Sequence, residues 1–124
     1  MFDIMNKTKG KIPNLPFCDM KNFVAGKNYE LSLVFIGDTR SQALNKKYRN
    51  IDKPTNILSF SLNKNSGEIF INLNRAKKEA PRFNKNTKNF IGFLFVHGLL
   101  HLKDFSHSST MERREKVLCK KFNI

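Results

Sequence analysis

The segment TKNFIGFLFVHGLLHLK, residues 87–103, decides the architecture. Wound at 3.6 residues per turn, Phe90, Ile91, Phe93, Leu94, Phe95, Val96, Leu99, Leu100 and Leu102 cover nearly the whole circumference. A helix without a polar face is stable only when protein surrounds it, so this one is expected in the middle of a domain. Gly92 and Gly98 each cost it about 1 kcal/mol against alanine, tolerable where a neighbouring backbone or a ligand needs the room. Between Phe90 and Leu102 the polar exceptions are His97 and His101. Four residues apart, they leave the same helix face one turn apart.

Working outward, NILSFSL (56–62) and GEIFINL (67–73) read as two strands joined by a turn over Asn63–Gly67, a hairpin. In the first strand Ile57, Ser59 and Ser61 fall on one side and Leu58, Phe60 and Leu62 on the other. Asn72 or Asn74 then caps a basic helix running through Ala80 and stopped by Pro81. Upstream, Leu31, Leu33 and Phe35 alternate with Ser32, Val34 and Ile36, a strand with both faces largely covered. Asp38 or Thr39 offers a cap to the helix SQALNKKYRN, with Ala43, Leu44 and Tyr48 inward and Lys46, Lys47 and Asn50 outward. That helix must end before Pro54.

Residues 1–29 are the least patterned. Phe2–Met5 suits a short strand and Asp19–Val24 a short helix ending near Gly26, with Gly10, Pro13, Asn14 and Pro16 marking turns between them. A last helix is expected from Ser109 to Lys121, with Met111, Val117 and Leu118 inward. These elements predict an α+β fold in one domain, residues 1–124. A small mixed β-sheet packs against the central buried helix that carries the histidines.

Twenty-three Lys and Arg against ten Asp and Glu give a net charge of +13, a field that draws polyanions. The densest basic run is Arg75, Lys77, Lys78, Arg82, Lys85 and Lys88, opposed by Glu79 alone. Two cysteines, Cys18 and Cys119, form no CxxC pair and read as unpaired thiols in a reducing compartment. The N-terminus lacks the apolar run of a signal peptide, and Phe90–Leu102 is too short to span a bilayer. A cytoplasmic location follows, with no membrane partner. No Gly-rich phosphate loop follows a strand, so no nucleotide cofactor is expected.

The chain has three histidines, all within HGLLHLKDFSH, residues 97–107. A single histidine on an apolar helix is ordinarily a packed, hydrogen-bonded core residue. Three clustered imidazoles in apolar surroundings need a shared partner, and a metal ion supplies one. His97 and His101 converge by helical spacing, and the turn after them can swing His107 back to complete a facial set of three. Three imidazole nitrogens with a fourth position open is the arrangement of a catalytic zinc site, whereas structural sites use mainly thiolates. One zinc ion on His97, His101 and His107 is the expectation.

HGLLHLKDFSH resembles the H-G-x-L-H-L-x-G-x-D-H signature of the YbeY family, zinc-dependent endoribonucleases of bacterial ribosomal RNA maturation. LNKKYRNIDKPTNILSF (44–60) is similar to the family's L-N-x-x-Y-R-x-x-D-x-P-T-[DN]-V-L-S-F block, and GEIFIN to its G-D-[IL]-x-I strand. The likeness covers about residues 30–108; residues 1–29 match loosely. Two positions depart: Asp104 stands where the family has glycine, and Ser106 where it has an acid that could orient an imidazole.

The resemblance implies hydrolysis of single-stranded RNA, in maturation of the 16S ribosomal RNA 3′ end and in ribosome quality control, with the ribosome or its proteins as partners. It makes Arg49 the group that steadies transition-state charge, and puts Asn56 and Ser59 beside the metal as substrate-side residues. Two other classes share some of these features. A zinc peptidase has the same H-x3-H-x5-H ligand spacing but needs a general-base Glu where this chain has Gly98. A non-catalytic RNA-binding or ribosome-assembly factor would keep the charge and the histidines with a closed zinc site.

Overall fold

The computed structural model describes residues 1–103 and 109–124. Four strands lie in the order β1-β2-β4-β3. β1 (Phe2–Asn6) pairs parallel with β2 (Glu30–Ile36), β2 pairs parallel with β4 (Ser66–Asn72), and β3 (Ile57–Asn63) pairs antiparallel with β4. Parallel neighbours need crossovers. α1 (Phe17–Ala25) supplies one between β1 and β2, and α2 (Asp38–Arg49) leads from β2 toward the β3–β4 hairpin. The sheet is therefore mixed, as expected.

α4 (Thr87–Leu102) lies across the sheet face formed by Leu33, Phe35, Ile69 and Ile71, all inaccessible to solvent, and α1 and α5 (Ser109–Phe122) pack beside it. Phe90, Phe95 and Leu99 on α4 are fully buried. At about 1.5–3 kcal/mol each relative to exposure, the three together outweigh the roughly 2 kcal/mol that the two glycines cost. Close packing against this face explains Gly98. A Cβ there would stand 2.9 Å from Ile57 Cδ1, 3.0 Å from Ser59 Oγ and 3.1 Å from Ile69 Cδ1. The glycine lets helix and strand approach.

Four local expectations are corrected. The buried residues of α2 are Ser41 and Asn45; Ala43 is exposed, Leu44 half-buried and Tyr48 exposed. The polar pair is buried because the following loop hydrogen-bonds to it: Ser41 Oγ donates to the Thr55 carbonyl (2.7 Å) and accepts from its N–H (2.9 Å), and Asn45 Nδ2 donates to the Lys53 carbonyl (2.9 Å). Tyr48 instead lies against Phe60 of the edge strand, ring centroids 5.0 Å apart. Second, no side chain caps α2; the Asp38 carboxylate accepts from the amides of Asn72 and Asn74 across the fold. Third, Pro81 does not stop the chain's winding. α3 (Leu73–Glu79), capped by Asn72, passes into a 3-10 turn (Ala80–Phe83) whose first positions tolerate the missing N–H. Fourth, Val117 is 58% exposed, and the inward stripe of α5 is Met111, Glu115 and Leu118. That is the i, i+4, i+7 spacing of one helix face.

Candidate metal centre and cleft

α4 brings its two imidazoles together. His97 Nε2 and His101 Nε2 are 3.2 Å apart, the rings meeting edge to face at 76°. Two nitrogens bound at roughly 2.0–2.1 Å to one tetrahedral zinc stand about 3.3–3.4 Å apart. The pair thus fits a shared zinc ion with little adjustment. His107, the third expected ligand, lies outside the described residues, as do Asp104 and Ser106. Among the described residues no group of three His, Cys, Asp or Glu gathers at one point.

The other ring nitrogen of His97, Nδ1, is 3.2 Å from Glu115 Oε1. Glu115 is a functional candidate that the sequence alone did not single out. A signal for it was present: with Val117 set aside, Met111, Glu115 and Leu118 are the helix-spaced inward set, and an acid on an inward stripe needs a buried partner.

Arg49, Asn56 and Ser59 share one cleft of about 480 Å³ with His97 and His101, and Ser61 completes its polar wall. Each arrives by its own local logic. Arg49 is the last residue of α2, where Asn50 turns the chain with a left-handed backbone (φ 59°). The loop from 51 to 56 is held by the Ser41 and Asn45 bonds already described. Asn56 closes that loop: its Nδ2 donates to Glu79 Oε1 at 2.9 Å, and its carbonyl accepts from the Asn72 N–H at 2.9 Å. Its amide nitrogen is thereby committed to holding α3. Ser59 sits on β3 facing α4, its hydroxyl beside Gly98. A second cavity of about 410 Å³ shares Asn56, Ile57 and His97 with this cleft and continues over Phe83, Phe90 and Phe93.

One carboxylate near this end of the sheet has a shifted equilibrium. The side-chain hydrogen bond from Asn72 holds Asp38 below the ordinary carboxylate value, against desolvation, with Asn74, Lys78 and Arg75 adding to the effect. It fastens the start of α2 to the β4–α3 junction. Its role is architectural.

Two converging imidazoles beside an arginine, amide and hydroxyl wall define a candidate hydrolase site for an anionic substrate, set on an α+β domain. Comparison with known proteins agrees in kind. The family model described as Endoribonuclease YbeY matches residues 14–123. The Endoribonuclease YbeY of Aliarcobacter butzleri is 34% identical over 133 aligned positions, covering 100% of this chain and 94% of that one. Its namesake from Nautilia profundicola is 34% identical over 131, covering 100% and 93%. This chain belongs to the YbeY endoribonuclease family. The solution structure of TM1509 from Thermotoga maritima superposes with a TM-score of 0.72 over 98% of this chain and 89% of that one. At 22% identity, that likeness speaks for the fold alone.

Proposed function

We propose that this protein is a zinc-dependent, single-strand-specific endoribonuclease acting in 16S ribosomal RNA 3′-end maturation and ribosome quality control in the cytoplasm. The observation that carries the reading is the 3.2 Å approach of His97 Nε2 and His101 Nε2 at the wall of a cleft that also holds Arg49. His97, His101 and His107 are the proposed ligands. Zinc on neutral imidazoles remains a dication and supplies Lewis-acid activation of a water or of the phosphodiester.

The chain's own groups do the rest. Arg49, at the cleft, meets the negative charge that grows on the phosphoryl oxygens. Ser59 and Ser61 offer hydroxyls along the same wall, and Asn56 keeps the loop in place through Glu79. Exposed Phe83 and half-buried Phe93 past His97 suit splayed, unstacked bases, which a single strand presents and a duplex does not. The +13 charge speeds and strengthens polyanion binding. Among the described residues no helix is long and apolar enough to cross a membrane, and both cysteines are unpaired. Peptide hydrolysis is disfavoured by Gly98, where Ile57, Ser59 and Ile69 leave no space for a general-base carboxylate.

The test uses the purified protein with zinc and a single-stranded RNA. Wild type is expected to cleave it, His101→Ala to lose both metal and cleavage, and Arg49→Ala to lose cleavage while keeping zinc and fold. Full activity in metal-free His101→Ala refutes the zinc reading. Zinc and RNA binding without cleavage in wild type would instead identify a non-catalytic RNA-binding factor.

A further inference from the structure

We infer that Glu115, on the C-terminal helix, is a positioning residue of the metal site: it sets the tautomer and the aim of His97. The inference rests on the zinc reading above for its purpose, but its geometry stands by itself. A neutral imidazole carries one N–H and one lone pair, and an ionised carboxylate only accepts. With Glu115 Oε1 3.2 Å from His97 Nδ1, the shared proton belongs to Nδ1. Nε2 is then left with its lone pair, and that nitrogen is the one facing His101 Nε2. The opposite tautomer would set two lone pairs against each other at Glu115 and blunt the ligand nitrogen.

Packing fixes the carboxylate where this requires it. Met111 and Leu118, roughly one turn away on either side, are 1% and 0% exposed, so α5 is docked at two points that bracket Glu115. The Glu115 side chain is 11% exposed and that of His97 21%, so water competes little for the bond. A carboxylate in such a place costs free energy unless paired. The His97 N–H is the partner the structure shows. The arrangement is that of a carboxylate–histidine pair that would stand behind a bound metal, the outer acid fixing the tautomer of the ligand and restricting its rotation. The family signature has an acid directly before the third histidine, and this chain has Ser106 there. Glu115 supplies an acid to the site from a different element. It also ties α5 to metal binding: whatever the helix contributes to zinc affinity, zinc returns to the docking of the helix.

Two measurements on the full chain decide the matter. Long-range proton–nitrogen spectra of the metal-free protein at mildly alkaline pH report which nitrogen of His97 bears the proton. Chelator competition reports zinc affinity. Wild type is expected to show the Nδ1–H form. Glu115→Ala is expected to show mixed tautomers and about 10- to 100-fold weaker zinc binding. Glu115→Gln, which keeps an acceptor oxygen in place, should recover most of that loss, and Val117→Ala on the exposed face of the same helix should match wild type. A purely structural Glu115 would move thermal stability without moving the tautomer. Wild-type zinc affinity in folded Glu115→Ala, or an Nε2–H form of His97 in wild type, overturns the inference. If Glu115→Ala does not fold, the wild-type tautomer decides: an Nδ1–H form of His97 supports the inference and an Nε2–H form overturns it. Absence of zinc binding in wild type would refute the metal reading instead, with the tautomer still testing the bond between Glu115 and His97.

Discussion

Replacing Gly98 by alanine adds one methyl group at the point where α4 touches β3, and two effects of opposite sign follow. Alanine is the better helix former by about 1 kcal/mol. The new Cβ, however, would stand 2.9, 3.0 and 3.1 Å from Ile57 Cδ1, Ser59 Oγ and Ile69 Cδ1. Non-bonded carbon atoms settle at about 3.5–4.0 Å, so the strand and helix must part by roughly 0.5 Å or the two isoleucines must leave their rotamers. Ile69 is fully buried and has little freedom to do so. Overpacking of this kind costs about 1–3 kcal/mol, leaving a net loss of about 1 kcal/mol after the helix gain. Unfolding entropy of about 2.1 cal/mol/K per residue over 124 residues makes that a fall in Tm of about 4 °C. The catalytic consequence should exceed the stability one. Ser59 is on the strand that is pushed and His97 on the helix that pushes, and a misplacement of about 1 Å can cost 100-fold in rate. A shift of half that size predicts roughly a tenfold drop in kcat/KM. Thermal unfolding and RNA cleavage by Gly98→Ala read both quantities. A raised Tm together with unchanged cleavage would falsify the reasoning, because it would mean the helix and strand do not meet here.

Three further outcomes follow from the same contacts. Asp38→Asn should lower Tm at neutral pH. Because the folded carboxyl titrates below its ordinary value of 3.8, the stabilisation is complete above that pH and disappears as pH falls through the lowered value. The gap between variant and wild type should therefore close in acid, and a gap that persists at the lowest pH would rule out the charge as its source. Burial pushes the Cys119 thiol above its ordinary value, with Lys85 opposing and Glu115 adding, so thiolate is scarce there. Alkylation mapped by mass should reach exposed Cys18 well before half-buried Cys119; the reverse order would mean α5 is not docked. Asn45→Ala removes the 2.9 Å bond to the Lys53 carbonyl and should cost about 1 kcal/mol. Because that bond holds the loop leading to Asn56, cleavage should fall while zinc affinity stays constant; unchanged cleavage would detach the loop from the cleft's function.

Much of this protein is written in local periodicity. The nearly all-apolar circumference of 90–102 determined a buried helix, the alternation across 57–72 determined a hairpin, and the four-residue spacing of His97 and His101 determined that two imidazoles share a face. Those features depend only on residues a few positions apart, which the 3.6 and 2.0 repeats relate directly. The inner face of α2 followed no such rule, and helical spacing could set Glu115 inward without naming its partner. Ser41 and Asn45 are buried because a loop carbonyl and N–H many residues away become their partners, and Glu115 is buried because it meets His97 of another helix. A polar residue's burial is decided by the partner it finds, and the partner is chosen by packing. For the same reason only the tertiary structure could set Arg49, Asn56 and Ser59 around the histidines of α4. The sheet order and the close approach allowed by Gly98 bring together segments that lie far apart along the chain.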